Sequence, residues 1–410
     1  MLFRSTAVGY QAGYSNTTGN FSVYVGRAVG YSNTTGVENT AVGGSAGGLS
    51  LPAFYSNTTG SYNTAFGSAA LASNTTANSN TAVGYQAGYS NTGGPYHAFV
   101  GYQAGYSNTS GAENTALGWL ALYANQTGNY NVALGGEALK NNTSNGNVAV
   151  GTATLYNNTT GGNNTAIGGA DIASFYNALA RNTTGSYNIA VGGGALNANT
   201  TANYNVAMGW QALGSNTTAS NNTAVGYQAA YSNATGTNIT AIGRGALYNN
   251  TADNNTAIGK VAGYSNTTGS ANVFIGSESA ASGFAAGYSN TTGSYNTAIG
   301  SNALGSNTTA SNNTAVGYQA AYTNTTGSDS TFVGTQAGRN SNTGTRNTAI
   351  GYQSGYSVTG SSNTSVGSTN MGSEGAGMSG SYNVAVGTFA LAYNTTASNN
   401  TAVEIGRAHV

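Results

Sequence analysis

The chain has 410 residues, of which only 4% are charged, and its nine Lys and Arg residues balance its nine Asp and Glu residues. Ordinary globular domains carry roughly 25% charged residues, and a chain without excess positive charge offers no electrostatic case for nucleic acid or an anionic membrane. Cysteine is absent, which excludes disulfides and thiolate metal sites and leaves the redox compartment open. No apolar run reaches the roughly 18 residues of a membrane span.

The two ends of the chain differ from everything between them. Residues 1–5 contain Leu-Phe-Arg-Ser, and residues 404–410 read Glu-Ile-Gly-Arg-Ala-His-Val. Both stretches match translations of a sequencing-library adapter. We therefore expect two adapter-like, non-native ends on a piece of a longer protein, with residues 6–403 forming one continuous β-solenoid rod.

One glycine per repeat marks the period of the central region. Gly9, Gly26 and Gly43 lie 17 residues apart, and the spacing continues, with slips of one residue, as far as Gly387. Self-similarity at a fixed period is typical of stacked coils. A helical repeat is excluded because glycine recurs inside the pattern and Asn-Thr-Thr-Gly favours turns. The sequence thus predicts an all-β fold, a parallel β-solenoid or β-roll of about 22 coils with a 17-residue repeat.

The residues before each marker glycine predict a short strand, as in Thr81-Ala82-Val83. Alternation places the Ala and the Val or Ile on opposite faces. Because the Val or Ile site varies little in size, we assign it to the inside of the coil. The Ala site also accepts Tyr24 and Phe99, so we expect it to face something roomier. A neighbouring chain would fill that space and favours an oligomer, whereas an exposed Ala stripe on a single chain is the alternative.

The rest of each coil predicts a second strand and a turn. An Ala usually stands three residues after the marker, as Ala12 does, and a Gly or Leu stands four after it. We expect a second short strand around Ala12 and its equivalents, followed by the Asn-Thr-Thr-Gly turn. Three coils are 24 residues long, from Gly43, Gly168 and Gly276. Their insertions should project as loops on one side, either as binding loops or as tolerated bulges.

Residues with catalytic potential are sparse. His97 is the only histidine outside the C-terminal end, so neither a catalytic triad nor a histidine metal site can be assembled. The carboxylates occur singly, on different coils. We therefore predict no enzyme activity, no catalytic, cofactor-binding or metal-binding residues, and no cofactor.

Asn-x-Thr and Asn-x-Ser sequences recur at the turns, and they have two interpretations. They could be N-glycosylation sites that give a sugar-coated fibre. Alternatively, Asn and Thr could be selected for turns and for hydrogen-bonded ladders along the stack. The candidate glycan acceptors are Asn16, Asn33, Asn57, Asn74, Asn182, Asn216, Asn266, Asn290, Asn307, Asn324 and Asn394.

Tyrosines recur one and five residues after the marker, as Tyr85 and Tyr89 do. Two columns of rings would result, and they could seal the edge of the coil by stacking or form a surface on which sugars stack. The threonines suggest an ice-binding face, but Asn-Thr-Thr places them next to each other in a turn rather than at alternate positions.

The segment 80–88, Asn-Thr-Ala-Val-Gly-Tyr-Gln-Ala-Gly, resembles the head repeats of trimeric autotransporter adhesins. It is similar as well to repeats of phage tail-fibre-like proteins that carry a self-cleaving C-terminal chaperone. The resemblance covers nearly all of residues 6–403, although the period here is longer than in the adhesin heads. It implies a left-handed parallel β-roll, a homotrimer, secretion and attachment to surfaces.

Together these patterns predict an extracellular or cell-surface structural fibre of adhesin type. It would present Asn-, Thr- and Tyr-rich turns, with or without covalent glycans, and would carry out no catalysis. Its partners would be further copies of the chain, as a homotrimer or an end-to-end fibre, or carbohydrate surfaces. The alternative is an ice-binding or carbohydrate-binding β-solenoid module.

Overall fold

The computed structural model describes residues 4–45, 51–169, 176–278, 283–372 and 377–404. These residues form strands, turns and irregular segments without a helix, so none of them belongs to a helix that could cross a membrane. The chain divides into two compact units, Met1–Asn205 and Val206–Val410. Each unit is a stack of parallel β-coils, which confirms the predicted all-β solenoid. Most residues of the two adapter-like ends lie outside the described residues.

The described residues contain 23 strands of three residues, each directly before a marker glycine or its equivalent. The first unit contains β1 Thr6–Val8, β2 Val23–Val25, β3 Thr40–Val42, β4 Thr64–Phe66, β5 Thr81–Val83, β6 Ala98–Val100, β7 Thr115–Leu117, β8 Val132–Leu134, β9 Val148–Val150, β10 Thr165–Ile167 and β11 Ile189–Val191. The second contains β12 Val206–Met208, β13 Thr223–Val225, β14 Thr240–Ile242, β15 Thr256–Ile258, β16 Val273–Ile275, β17 Thr297–Ile299, β18 Thr314–Val316, β19 Thr331–Val333, β20 Thr348–Ile350, β21 Thr364–Val366, β22 Val384–Val386 and β23 Thr401–Val403.

Neighbouring strands pair in parallel, residue for residue. In β5 and β6, Ala82 stands opposite Phe99 and Val83 opposite Val100. The same register holds across the longer coils, since Thr40 of β3 stands opposite Thr64 of β4. Parallel strands in register need one crossover each, and here that crossover is the remainder of a single coil. The 17-residue repeat and the number of coils predicted from the sequence are thereby confirmed.

Both the backbone conformation at the marker position and the close approach of the next coil require glycine there. Gly84 has φ of +134°, a region that side chains rarely adopt. A Cβ built on Gly84 would lie 2.4 Å from the carbonyl oxygen of Gly101, the next marker. No real Cβ contact is that short, so any other residue would push the coils apart. The repeat therefore keeps glycine wherever two coils touch at this point.

The predicted orientation of the strand is wrong. Ala82 and Phe99 are fully buried, whereas Leu117 is 51% exposed and Val83 and Val100 are half-buried. The middle residue of each strand points into the coil, and the Val, Ile or Leu after it points outward. The interior of a 17-residue coil is narrow, so it accepts the small residue, and the outer surface accepts the branched one. A neighbouring chain could not reach the Ala side.

The second strand predicted around Ala12 is also wrong, because this segment forms turns. Ordinary side chains there adopt left-handed backbone conformations, with φ of 54° at Gln86 and 47° at Leu71. Such residues are held by their surroundings. The N–H of Gln86 donates to Ser68 of the preceding coil at 3.0 Å, and that of Leu71 donates to Ala87 of the following coil at 3.0 Å. Hydrogen bonds between coils thus replace the regular strand pairing.

Side-chain size is matched across the interior between the middle of the strand and the fourth residue after the marker. Many coils combine Ala in the strand with a fully buried Leu, as Ala116 and Leu122 do. Where the strand carries Phe99, the fourth residue is glycine in its own coil and in the preceding one. A Cβ on Gly105 would lie 2.6 Å from the Phe99 ring, and one on Gly88 would lie 2.9 Å from it. The commonest filling of the interior is therefore Ala with Leu, and a large aromatic residue in the strand is combined with Gly. Other coils combine Ala41 with Phe54 or Ala224 with Ala230.

The three insertions leave the coil directly after the strand. The chain returns to its usual path where Ala53, Ala178 and Ala286 donate N–H bonds to Gly43, Gly168 and Gly276, at 2.9, 3.0 and 3.2 Å. The predicted loops fall mainly on residues 46–50, 170–175 and 279–282, which lie outside the described residues. The insertions do not disturb the register of the strands on either side.

We expect Phe99→Ala to lower the free energy of unfolding by about 3–5 kcal/mol, because it removes a fully buried ring. Gly105→Leu alone should destabilise the chain by overpacking. The double variant recreates the Ala and Leu combination of the neighbouring coil and should be more stable than either single variant. Urea unfolding followed by circular dichroism measures this coupling, with the exposed Phe21→Ala as a control. If the destabilisation of the double variant equalled the sum of those of the two single variants, the size matching would be contradicted.

Candidate functional site

Two columns of buried asparagines run through the interior of each unit. We name the asparagines that open the Asn-Thr-Thr-Gly turns the turn ladder, and those directly before the strands the strand ladder. The turn ladder includes Asn33, Asn57, Asn74, Asn91, Asn108, Asn158, Asn182 and Asn199 in the first unit and Asn233, Asn250, Asn266, Asn290 and Asn307 in the second. The strand ladder includes Asn39, Asn63, Asn80, Asn114, Asn131 and Asn147 in the first unit and Asn255, Asn272, Asn296 and Asn313 in the second.

Turn-ladder amides bond both along the column and within their own turn. The Nδ2 of Asn57 donates to the Oδ1 of Asn33 at 2.7 Å and to the carbonyl oxygen of Gly60, in its own turn, at 3.0 Å. Asn290 does the same in the second unit, with Asn266 at 2.6 Å and Gly293 at 2.9 Å. Buried amides need such partners, because an unsatisfied one costs roughly 1–3 kcal/mol.

Nine of the eleven candidate glycan acceptors are buried: Asn33, Asn57, Asn74, Asn182, Asn216, Asn266, Asn290, Asn307 and Asn324. Asn16 and Asn394 are half-buried. A glycan replaces one hydrogen of Nδ2 and needs a path to solvent, so at the buried sites it would have to be attached before the coil closes and would break the ladder. The geometry favours the ladder interpretation of these residues, while glycosylation itself stays a prediction.

The strand ladder connects backbone and side chains of successive coils. The backbone N–H of Asn63 donates to the Oδ1 of Asn39 at 3.0 Å, and the Nδ2 of Asn39 donates to the carbonyl oxygen of Gly60 at 2.9 Å. Each asparagine thus accepts at the start of the next strand and donates into the next turn. The side-chain oxygen of each asparagine accepts a hydrogen bond and the side-chain nitrogen donates one. Replacement by aspartate would therefore remove the donor.

His97 occupies one position of the strand ladder and makes the bonds of an asparagine. Its Nδ1 accepts from the backbone N–H of Asn114 at 3.1 Å, as an Oδ1 would. The proton of the neutral ring is therefore on Nε2, which lies 3.0 Å from the Nδ2 of Asn108. The ring also hydrogen-bonds to the backbone of Gly111. The ring stacks on Phe99 with a centroid distance of 4.5 Å. Aligning the repeats on the marker glycine already places His97 where other coils have asparagine, so this signal was available in the sequence.

Burial lowers the pKa of His97 to about 4, although its backbone hydrogen bonds to Gly111 and Asn114 act in the opposite direction. The imidazole is only 3% exposed. Protonation would place a hydrogen on Nδ1, directly opposite the N–H of Asn114. The ladder therefore requires the neutral ring.

The outward strand residues form an apolar surface that we name the outer stripe. It consists of the exposed Val, Ile, Leu, Met and Phe side chains directly before the markers. In the first unit these include Val8, Phe66, Leu117 and Ile167, and in the second Met208, Ile242, Ile258, Ile299, Ile350, Val386 and Val403. Trp119 and Trp210, directly after their markers, are also more than 40% exposed. The stripe recurs coil after coil in both units.

The predicted aromatic column five residues after the marker is confirmed, whereas one residue after the marker the stacked pair is Tyr85 and Tyr102, with a centroid distance of 5.5 Å. In the column five residues after the marker, Tyr89, Tyr106 and Tyr123 stack with centroid distances of 5.2 and 5.1 Å. Tyr248 and Tyr264 stack at 5.0 Å in the second unit. Stacked rings cover each other's faces, which leaves edges and hydroxyls to solvent. A sugar can stack on such a column only where the column ends.

In this column Tyr156 follows Lys140 instead of another tyrosine, and it lies next to a cavity of about 300 Å³ in the first unit. The following coils carry Ala180 and Asn197 at this position, and both line the cavity with Tyr156. Glu137, Asn157 and Arg181 contribute further polar groups to the wall. The sequence patterns offer no motif for this cavity, because its residues come from four coils.

Lys140 lies on the other side of the Tyr156 ring. Its Nζ is 5.2 Å from the ring centroid, 3.3 Å from the Tyr156 hydroxyl and 2.6 Å from the Oε1 of Glu137. Burial by itself would lower the pKa of Lys140, but its bonds to Glu137 and Tyr156 outweigh this effect and raise the pKa. The ammonium fixes the positions of the ring and of the carboxylate.

The first threonine of the turn does not offer a free hydroxyl to water. Thr34 donates to the carbonyl oxygen of Thr58 at 2.9 Å, and Thr267 donates to that of Thr291 at 2.9 Å. The hydroxyls of these first threonines therefore bond to the neighbouring coil instead of to water, which weakens the ice-binding alternative at the turns.

Within the described ranges, no three His, Asp or Glu side chains lie close enough together to hold a metal ion. No family model matches the chain, and no curated protein is significantly similar to it.

We expect acid to destabilise the chain through His97. The histidine titrates near 6.5 when unfolded and near 4 when folded, so the unfolded state binds more protons between these values. Stability should therefore fall as the pH decreases from 7 towards 4, by on the order of 3 kcal/mol. Urea unfolding at several pH values measures this loss.

The matched variant for this experiment is His97→Asn, which restores the regular strand ladder without a titrating ring. The stability of this variant should no longer include the decrease between pH 7 and pH 4 that the titration of His97 causes. An unchanged profile in His97→Asn would show that His97 is not responsible for the acid sensitivity.

Proposed function

We propose that this protein is a non-catalytic structural scaffold of adhesin type, which acts outside the cell or at its surface as an assembly of several copies. The outer stripe carries the proposal. Large apolar surfaces on a folded protein generally mark sites of association. Each of the 23 described strands ends in an apolar residue on this side, which is exposed in about half of them and half-buried in the rest. A second copy laid along the stripe would remove the exposed Ile, Leu and Trp side chains from water.

The structure changes the face on which association is proposed. The sequence had placed the neighbouring chain against the Ala side, which is the interior of the coil. The branched side chains after the buried alanines are available instead. The resemblance to the adhesin heads favours three copies, and the scarcity of charge on the stripe is compatible with close packing between them.

The interior explains how such a scaffold would keep its shape without a large core. Each coil buries only a few apolar side chains, so stability accumulates between neighbours, as in other repeat proteins. The two asparagine ladders add hydrogen bonds at every step. A passive function, presentation of turns and insertions at regular intervals, requires this kind of cumulative stiffness and no moving part.

We expect the full chain to sediment as a trimer at micromolar concentration in analytical ultracentrifugation. Leu117→Lys combined with Ile167→Lys should shift it towards the monomer, because two charges would be buried without partners. Both residues are exposed in the single chain, so the variant should fold, which circular dichroism verifies. Thr76→Lys, at an exposed turn position, is the matched control and should leave the assembly intact. A monomeric wild-type chain would contradict the proposal.

A further inference from the structure

A cavity lies beside Tyr156 in the tyrosine column. Where tyrosines follow one another, as Tyr89, Tyr106 and Tyr123 do, the ring faces are covered. At Tyr156 one face is occupied by the Lys140 ammonium, and the next coil supplies only the methyl group of Ala180 on the other side. That ring face borders the cavity instead of another ring. A flat aromatic surface next to an empty volume is the arrangement on which the apolar face of a sugar ring stacks.

The cavity also concentrates charge in a chain that has little. Glu137 and Arg181 line it, and Lys140 is paired with Glu137 behind Tyr156. Two positive groups and one negative group leave a net charge of about +1 at this place. Arg181 is exposed, and a guanidinium binds a carboxylate through two parallel hydrogen bonds. The charge therefore favours a ligand with one negative group.

We propose that this cavity binds one pyranose ring that carries a carboxylate, that is, a hexuronic acid unit at the end of a chain or as a branch. The ring stacks on Tyr156 in the space left by Ala180. The carboxylate pairs with Arg181, and the hydroxyls meet the amides of Asn157 and Asn197 and the carboxylate of Glu137. The volume of about 300 Å³ is at the lower end for ligand pockets and suits one sugar unit rather than several.

This site deepens the proposed adhesin-type function and depends on it, because it gives the scaffold a class of surface to bind. The two proposals can still fail separately. Self-association involves the outer stripe, whereas the sugar site involves the tyrosine column, and the two share no residue.

The probes are methyl β-D-glucuronide, methyl β-D-glucoside and acetate, each titrated into the full chain and followed by calorimetry and ligand-observed NMR. We expect the glucuronide to bind weakly, in the range of about a millimolar, as suits a single small ring. It should bind at least about tenfold more tightly than the glucoside, since only the glucuronide has a carboxylate that can pair with Arg181. Acetate should bind more weakly than the glucuronide because it lacks the ring.

The decisive variant is Ala180→Tyr, which would continue the aromatic column into the cavity. Tyrosine is the residue of this position in several other coils, such as Tyr106 and Tyr123, so the variant should fold. It should abolish glucuronide binding and leave the assembly state unchanged. Thr76→Lys, at an exposed turn position of another coil, is the control and should leave glucuronide binding unchanged.

Arg181→Gln tests the contribution of the ligand carboxylate to binding separately from that of the sugar ring. It should remove the preference for the glucuronide over the glucoside while weak binding of both remains. Absence of glucuronide binding to the wild-type chain, or binding that survives Ala180→Tyr, would overturn the proposed site. Loss of binding together with loss of assembly in Ala180→Tyr would overturn it as well, because the effect would then be structural.

Discussion

The contact between successive marker glycines is the constraint on which the rest of the structure depends. At Gly84 and Gly101 the two backbones approach so closely that a single methyl group would not fit. This approach fixes the distance between coils, and the other columns follow from it. Asparagine amides 17 residues apart reach each other at 2.7 Å, and tyrosine rings stack at about 5 Å because the glycines permit that spacing.

The interior is polar to an unusual degree, and the ladders explain why this is stable. A buried amide has two donors and an acceptor, and in a stack most of these atoms find a partner in the neighbouring coil or turn. The cost of desolvation is therefore offset along most of each ladder, although the Nδ2 of Asn80 and the Oδ1 of Asn125 have no partner. A single isolated asparagine could not achieve this. The histidine at position 97 shows that the requirement is for the hydrogen-bonding pattern and not for the amide itself.

Period, strand position and fold class could be predicted from the sequence, because glycine recurs and Thr-Ala-Val precedes it. The orientation of the strand could not, since alternation assigns two faces without saying which is inside. The reasoning from size variation failed because the larger residues Tyr24 and Phe99 enter the interior where Gly13, Gly30, Gly88 and Gly105 make room. In the sequence this compensation is visible as a correlation between the middle residue of the strand and the fourth residue after the marker. The cavity at Tyr156 could not be foreseen, because the absence of a ring at this position does not by itself open a cavity. Ala72 also replaces tyrosine there and is fully buried, whereas Ala180 lines the cavity.

The pairing of large with small residues inside the stack has a consequence for how such a gene can change. Tandem repeats gain and lose copies by unequal crossing-over, which joins halves of different coils. Phe99 needs glycine both in its own coil and in the coil before it, so a recombination event that separates Phe99 from Gly88 would place the ring against a leucine. Where a coil carries a buried phenylalanine, two adjacent coils must therefore be duplicated together. Coils that combine alanine and leucine can be duplicated singly.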